Sequence, residues 1–195
     1  MLASTISFFS LLGLALAAPA QEPASIERRA VSEIQPSSVI FHTLYSSQAN
    51  TCYNPGTAIN IWRTGPWPDR GVSTLYTFTY PAGVTSSSLC WLEFTAGPLT
   101  STTPSSYAGI DVFSSTAPAS CTGGSSANYR NNNWGRLNVG SSGLATWAWK
   151  SGGLSSKQPC KPAGSSEWVE LAATGDNTYL EYRQGAGYGL TIKYE

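Results

Sequence analysis

Acidic side chains are the first residues of this chain that could carry out chemistry, because a glycosidase needs only two carboxyl groups beside the scissile bond. The acidic residues that fall within predicted strands are Glu93, Glu170, Glu181 and Asp111. Only 11% of the residues are charged, so the chain offers few neighbours that would separate two carboxyl pKa values. We therefore favour carboxylates that solvate the outer face of a sheet, and a small glycosidase is the alternative.

Tryptophan is unusually frequent, with 7 residues in a chain of 195. Trp147 and Trp149 lie two apart in a predicted strand, so we expect both indole rings on one face, roughly 7 Å apart. Trp134 lies in an asparagine-rich stretch, Asn131–Gly135, that is typical of a loop. Exposed aromatic rings in a row form a flat platform for sugar rings or for a protein partner. The alternative is that these tryptophans pack in the core.

No residue pattern identifies a nucleophile, a metal site or a cofactor site. His42 is the single histidine, and the four cysteines contain no C-x-x-C pair, so a Cys/His zinc site cannot be assembled. The glycine-rich stretch Gly185–Gly189 resembles a phosphate-binding loop, but no helix is predicted to follow it, which favours a turn. We therefore expect no catalytic residue, no metal and no cofactor, and a half-buried strand position for His42.

Short β-strands are the elements that must position these side chains. After Ala30 the apolar residues recur with a period of two between turn residues, and no ten-residue window has convincing helical periodicity. The run Leu89–Phe94, for example, puts Cys90, Leu92 and Phe94 on one face. About nine or ten such runs predict an all-β domain, an antiparallel β-sandwich. The Ser/Thr-rich stretches between the runs fit sandwich loops better than O-glycosylated linkers.

The first 29 residues have the organisation of a secretory leader. An apolar stretch too short for a stable membrane anchor ends in small residues, where Ala15–Ala17 or Ala18–Ala20 offers a cleavage motif. We predict a signal peptide over residues 1–17 that ends at Ala17. Residues 18–29 then predict a pro-segment that ends at the dibasic pair Arg28-Arg29. The mature chain, residues 30–195, is long enough for a single domain with its own core. We therefore expect a secreted protein.

The charge balance limits the classes of partner. The chain has 11 basic and 11 acidic residues, which gives a formal net charge of zero. Such a chain lacks the electrostatic footprint for nucleic acid and the polybasic patch for anionic lipid. Nothing after the leader approaches the roughly 20 apolar residues of a membrane helix. We expect a monomer that binds neither nucleic acid nor membrane.

Four cysteines lie in the predicted mature chain: Cys52, Cys90, Cys121 and Cys160. In an oxidising compartment an even number of cysteines indicates disulfide bonds, here two. Four cysteines allow three connectivities, and spacing alone does not choose among them. Each bond would contribute about 2–4 kcal/mol, mostly by restricting the unfolded chain.

A series of short motifs runs from the middle of the chain to its end. They are Leu75–Pro81, Leu89–Phe94, Ala108–Phe113, Tyr129–Asn132, Cys160–Gly164, Trp168–Leu171, Leu180–Tyr182 and Gly189–Ile192. In this order the motifs resemble the But2 C-terminal domain family of filamentous fungi over about residues 75–195. The C-x-L-x-F motif at Cys90 and the cysteine block at Cys160, which Lys161 interrupts, carry most of the resemblance.

The resemblance implies a fungal protein that is secreted, associated with the cell wall or facing a host, and it supplies no catalytic residues. It also implies a Cys90–Cys160 disulfide, because these cysteines occupy the family-like positions, and it leaves Cys52 and Cys121 to each other. The family name comes from binding to an activating enzyme of a ubiquitin-like modifier, an intracellular role that conflicts with a secretory leader.

These expectations together predict a non-catalytic binding module. A cell-wall polysaccharide or a host protein is the expected partner. A carbohydrate-binding module that uses exposed tryptophans at Trp147, Trp149 and Trp134 is the alternative.

Overall fold

The computed structural model of the chain describes residues 30–44, 51–52, 58–65, 70–118, 120–121, 129–185 and 187–195. The predicted signal peptide and pro-segment, with Ala17, Arg28 and Arg29, lie outside these residues. Their processing therefore stays a prediction. Within the described residues the regular structure is β-strand, apart from one 3-10 turn at Gly153–Ser155.

Fifteen strands are formed by the described residues. In chain order they are β1 (Ser32–Ile34), β2 (Ser38–Leu44), β3 (Thr51–Cys52), β4 (Ile59–Thr64), β5 (Arg70–Thr79), β6 (Leu89–Ala96), β7 (Ser101–Thr103), β8 (Ala108–Ser115), β9 (Arg130–Val139), β10 (Gly143–Leu144), β11 (Thr146–Lys150), β12 (Gln158–Pro159), β13 (Ser166–Ala173), β14 (Thr178–Tyr182) and β15 (Gly189–Tyr194). Ten of them have five or more residues, which matches the nine or ten strands that the apolar period predicts. The other five have two or three residues, too few to display an alternation.

The strands form two antiparallel sheets, which confirms the predicted all-β class. The first sheet has the order β1-β15-β6-β10, and β12 also pairs with β6. The second sheet has the order β11-β9-β8-β13-β5-β4-β14-β7, and β2 joins β5 and β3. Strands that are distant in sequence, such as β5 and β13, are therefore hydrogen-bonded neighbours.

Strand β5 is the point at which the second sheet bends. Along one edge it pairs with β2 from Gly71 to Thr77 without interruption. Along its other edge it pairs first with β4, at residues 70–72, and then with β13, at residues 74–79. Because β4 and β13 occupy the same edge in succession, they diverge, and β4, β14 and β7 curl away from the rest of the sheet.

The core lies between the two sheets, where one cluster of buried apolar side chains includes residues from both. On β6, Cys90, Leu92 and Phe94 are buried and the residues between them are half-buried, as the period of two predicts. From the second sheet, Tyr76 and Phe78 contribute stacked rings whose centroids lie 6.2 Å apart. Burial of apolar area at about 25 cal/mol per Å² makes this layer the main source of stability.

The outer face of the second sheet also carries buried side chains. His42 and Ser73 are cross-strand partners that are 3% and 0% exposed. Glu170, opposite Leu75, is 1% exposed. His42 is thus more buried than the half-buried position expected for it, and the ring of Tyr129 packs against it edge-to-face with centroids 5.2 Å apart. Polar side chains on the outer face of the second sheet are therefore buried, and the carboxylate of Glu170 is one of them.

A disulfide joins Cys90 to Cys160 across 70 positions of sequence, with Cα atoms 5.0 Å apart. This pairing confirms the one that the family-like positions implied. Cys121 is also disulfide-bonded. The Cys52 side chain lies outside the described part of the structure, so the predicted Cys52–Cys121 bond stays a prediction.

Candidate functional site

The two tryptophans of β11 face opposite sides of the sheet. Trp147 lies opposite Leu137 of β9, whereas Trp149 lies opposite Arg136, with a β-bulge between the two tryptophans. Directly opposed residues share a face, and the consecutive residues Arg136 and Leu137 point to opposite faces. The prediction that both indole rings form one platform is therefore wrong. The extra residue of the bulge, Ala148, reverses the alternation on which that prediction relied.

Trp134 and Trp147 are packing residues. Trp147 packs against the core cluster, and the ammonium group of Lys150 lies 6.0 Å from the centroid of its ring. Trp134 is 7% exposed, and its Nε1 lies 2.2 Å from where a Cβ on Gly153 would stand. The stretch that contains Trp134 lies within β9 rather than in the predicted loop. Of the three predicted platform residues, Trp149 is therefore the one whose side chain is exposed and can contact a ligand.

Trp149 lies on the outer face of the second sheet in an open groove of about 410 Å³, named here the Trp149 groove. The residues that line it include Tyr107, Gly109, Arg136, Asn138, Trp149 and Thr174. Trp149 is 41% exposed and Tyr107 is 49% exposed. The groove therefore presents two accessible aromatic side chains beside polar groups, from the β7–β8 connection and from the edge strand β11.

The floor of the groove is shaped by a glycine. Gly109 lies opposite Asn138, and its carbonyl accepts hydrogen bonds from the N–H and the hydroxyl of Thr174 at 3.0 and 3.1 Å. A Cβ on Gly109 would stand 2.6 Å from the Thr174 hydroxyl oxygen, closer than real Cβ contacts. A side chain at position 109 would therefore displace Thr174 and fill the floor between Asn138 and the turn after β13.

Arg136 carries the strongest polar groups of the groove, and Asp111 holds it in place. Its Nε donates to Asp111 Oδ1 at 2.8 Å and its Nη2 donates to Oδ2 at 3.2 Å. The hydrogen bond to Asp111 raises the pKa of Arg136 further above its usual value. The bidentate pair fixes the plane of the guanidinium group and neutralises its charge. The Arg136 side chain is 39% exposed and has further N–H groups that can donate to a ligand in the groove.

Each of the four carboxylates considered for catalysis has a partner of its own. The donor–acceptor pairs are Trp91–Glu93, Arg130–Glu170, Arg136–Asp111 and Tyr179–Glu181. Asp111 and Glu170 are diagonal neighbours on the outer face, at roughly the 7 Å between diagonal cross-strand positions. Each is paired with a separate arginine, however, and Glu170 is buried rather than solvating the outer face as expected.

Glu181 belongs to a small polar network on the outer face of β4 and β14. The Tyr179 hydroxyl lies 2.9 Å from Asn60 Oδ1 and also contacts Glu181 Oε2. Burial, followed by the hydrogen bond and the charge of Glu181, raises the pKa of Tyr179 to about 12. The ring is thereby fixed against β4 and stays neutral.

The raised pKa of Tyr179 predicts a loss of stability at alkaline pH. An unfolded tyrosine ionises near pH 10, whereas the folded one ionises at about 12. The fold therefore favours the neutral ring, and its contribution is complete below pH 10 and decreases as the pH rises to 12. We expect the free energy of unfolding of Tyr179→Phe to fall less steeply than that of the wild type over this range. Equal slopes in urea titrations at several pH values would contradict this.

The groove residues other than Trp149 were not identified from sequence patterns. Tyr107, Arg136 and Asn138 are distant in sequence or outside any motif, and the strand pairing brings them together. One local signal was available at Gly135, a glycine within β9 where a Cβ would stand 2.4 Å from the Trp149 carbonyl oxygen. A glycine inside a strand often marks a bulge or a close backbone approach.

Other classes of site are not evident in the described part of the chain. No group of three or more His, Cys, Asp or Glu residues within it is arranged to hold a metal ion. No helix in that part is long and apolar enough for a membrane span.

Comparison with protein-family models, curated proteins and solved structures finds no match to this chain. The resemblance to the But2 C-terminal domain family therefore stays a prediction from the motifs. The geometry of the Trp149 groove is the basis on which a function can be assigned.

Proposed function

We propose that this chain is a secreted, non-catalytic binding module whose Trp149 groove binds carbohydrate. The observation that carries the proposal is the pair of exposed aromatic residues, Trp149 and Tyr107, in one groove with a fixed guanidinium group and an amide. Concave sites with aromatic walls and a few oriented polar groups are typical of small-molecule binding. The proposal keeps the predicted tryptophan-based alternative but replaces its platform residues Trp147 and Trp134.

Carbohydrate fits this combination of groups. A pyranose ring has an apolar C–H face that packs on an aromatic ring, and hydroxyl groups on its edges that need hydrogen-bond partners. Trp149 and Tyr107 provide aromatic surface with a polar tip. Arg136 provides planar N–H donors, and the Asn138 amide provides two donors and an acceptor. The same site therefore offers packing for the face of a sugar ring and hydrogen bonds for the hydroxyl groups on its edges.

The proposal of a non-catalytic role is supported by the state of the nearest carboxylate. A glycosidase needs two carboxyl groups, of which one has a raised pKa and donates a proton. Asp111 is the carboxylate beside the groove, and both of its oxygens accept hydrogen bonds from Arg136. Both Asp111 oxygens are therefore engaged by the guanidinium group, and neither Asp nor Glu is among the described residues that line the groove.

Secretion and the identity of the partner belong to the same proposal. The leader pattern and the Cys90–Cys160 disulfide both fit an oxidising compartment. A fungal cell-wall polysaccharide is the partner that combines the resemblance to secreted fungal proteins with the chemistry of the Trp149 groove. A protein of a host remains the alternative partner.

The test is binding of the secreted protein to insoluble chitin, β-1,3-glucan, cellulose and mannan, quantified by depletion from solution. We expect Trp149→Ala combined with Tyr107→Ala to weaken binding about thirtyfold, because each lost aromatic contact costs on the order of 1 kcal/mol. Tyr188→Ala is the matched control, since Tyr188 is 43% exposed but does not line the groove. Unchanged binding by the folded double variant would contradict the proposed site. Release of reducing ends would contradict the non-catalytic role.

A further inference from the structure

A second cavity of about 460 Å³ adjoins the Trp149 groove. The two cavities share Thr178, and the consecutive residues Thr103 and Pro104 line one cavity each. Both volumes fall within the roughly 300–1,000 Å³ of ligand pockets. The two cavities are therefore neighbours, on either side of the Thr103–Pro104 step and the first residue of β14.

The second cavity has its own aromatic pair. Trp62 of β4 and Tyr179 of β14 are directly opposed cross-strand partners, so their side chains share the outer face. Both residues are half-buried and both line the cavity. Asn60 and Glu181 hold the Tyr179 hydroxyl, which prevents the ring from rotating away. The cavity thus repeats the chemistry of the Trp149 groove, with aromatic surface beside fixed polar groups.

We propose that the Trp62–Tyr179 cavity is a second sugar subsite and that the ligand is a neutral polysaccharide whose chain crosses both cavities. This inference rests on the proposed carbohydrate-binding function. Two adjacent aromatic subsites favour an extended chain over a single sugar, because a chain that is bound at one subsite presents its next units to the other at high effective concentration. A monosaccharide or disaccharide would use one cavity alone.

The charges around the two cavities favour a neutral chain. The positive charge of Arg136 is compensated by Asp111 through two hydrogen bonds. Tyr179 contacts the carboxylate of Glu181, which would repel an acidic sugar placed beside it. Arg63 also lines the second cavity, and it contributes a single basic group rather than a cluster. An anionic polysaccharide would instead need an uncompensated cluster of basic residues.

Calorimetric titration with dimers and hexamers of the chitin, β-1,3-glucan and cellulose series tests the inference. We expect hexamers to bind the wild type at least tenfold more tightly than dimers of the same series. Trp62→Leu keeps apolar packing but removes the flat ring, and we expect it to weaken hexamer binding about fivefold and dimer binding less than twofold. Trp149→Ala should weaken both, and Tyr188→Ala neither.

Different binding results would overturn the second subsite and the carbohydrate-binding function. Equal affinity of wild type for dimers and hexamers, or unchanged hexamer affinity of folded Trp62→Leu, would overturn the second subsite and leave the Trp149 groove intact. If Trp62→Leu does not fold, Thr64→Trp, which adds a bulky ring at an exposed strand position lining the same cavity, must reduce hexamer affinity selectively. Absence of binding by every probe would overturn both proposals.

The salt dependence of hexamer binding tests whether the polysaccharide ligand is neutral. Exposed charges interact over about 10 Å at 0.1 M salt and over about 3 Å at 1 M. We expect the hexamer affinity to change less than twofold between these two concentrations. A decrease of tenfold or more would show that charge dominates and would overturn the neutral chain.

Discussion

Replacing Arg130 with alanine is expected to destabilise the protein by about 3 kcal/mol, at the lower end of the cost of breaking a buried ion pair. The Arg130 Nε donates to Glu170 Oε1 at 2.9 Å, and the Glu170 side chain is 1% exposed whereas that of Arg130 is 32% exposed. Removal of the guanidinium group leaves a carboxylate beneath the outer face without its cation. The partial exposure of Arg130 allows some water to reach Glu170, which is why we place the cost at the lower end.

The surroundings of Glu170 give little compensation for that loss. Its Oε2 has no hydrogen-bond partner among the described residues. Leu75 and Phe113 are its cross-strand neighbours, and the Arg130 guanidinium also lies over the Phe113 ring, 5.1 Å from the centroid. The variant therefore loses an ion pair, a cation–π contact and the packing of the arginine stem together.

Urea unfolding of matched variants separates these contributions. Lys193→Ala breaks the pair with Glu33, in which both side chains are more exposed than Glu170, and should cost less than about 1 kcal/mol. Glu170→Leu combined with Arg130→Leu removes both charges and should recover most of the stability, because no unpaired charge remains. A cost below about 1 kcal/mol for Arg130→Ala would mean that Glu170 is hydrated in the folded protein.

The strand content of the fold could be predicted from the sequence because burial on one face imposes a period of two. The run Leu89–Phe94, for example, lies within β6, and the face predicted to carry Cys90, Leu92 and Phe94 is the buried one. Strand β9 is longer than the sequence predicts, because Asn131–Gly135 is polar and contains a glycine, which is typical of a loop. Tertiary pairing with β8 and β11 extends the strand through that stretch. Local composition therefore predicts strands whose own residues alternate between buried and exposed positions. It misses strand residues that are held only by pairing with neighbouring strands.

The candidate site was less accessible to sequence reasoning. The spacing of Trp147 and Trp149 predicts a shared face only while the ladder is regular, and one extra residue at the bulge reverses it. The partner of Trp149 in the groove is Tyr107, which lies about forty positions earlier in the chain and reaches it through the pairing of β8, β9 and β11. No local motif encodes that proximity.

Loss of the Cys90–Cys160 disulfide is expected to have the largest effect on stability, about 4 kcal/mol in the chain-entropy model for a loop of this length. The bond spans 70 positions, and Cys90 is fully buried in the core cluster. Beside it, β12 pairs with β6, and the Cys160 N–H donates to the Ser88 carbonyl at 3.0 Å. The strands β11 and β13 belong to the second sheet, and the disulfide holds the connection between them against the first sheet.

This placement predicts which part of the fold opens first when the bond is absent. The connection contains Leu154, which is fully buried, and Gly153, which packs against Trp134. In Cys90→Ala/Cys160→Ala we expect a lower urea midpoint and faster amide exchange at residues 151–165, together with a change in tryptophan fluorescence from Trp134. Cys52→Ala/Cys121→Ala is the control, and it should leave exchange at residues 151–165 unchanged. Faster exchange spread evenly over both sheets would contradict a local stabilising role for the disulfide. A Cys90–Cys121 peptide in a non-reducing map would contradict the pairing itself.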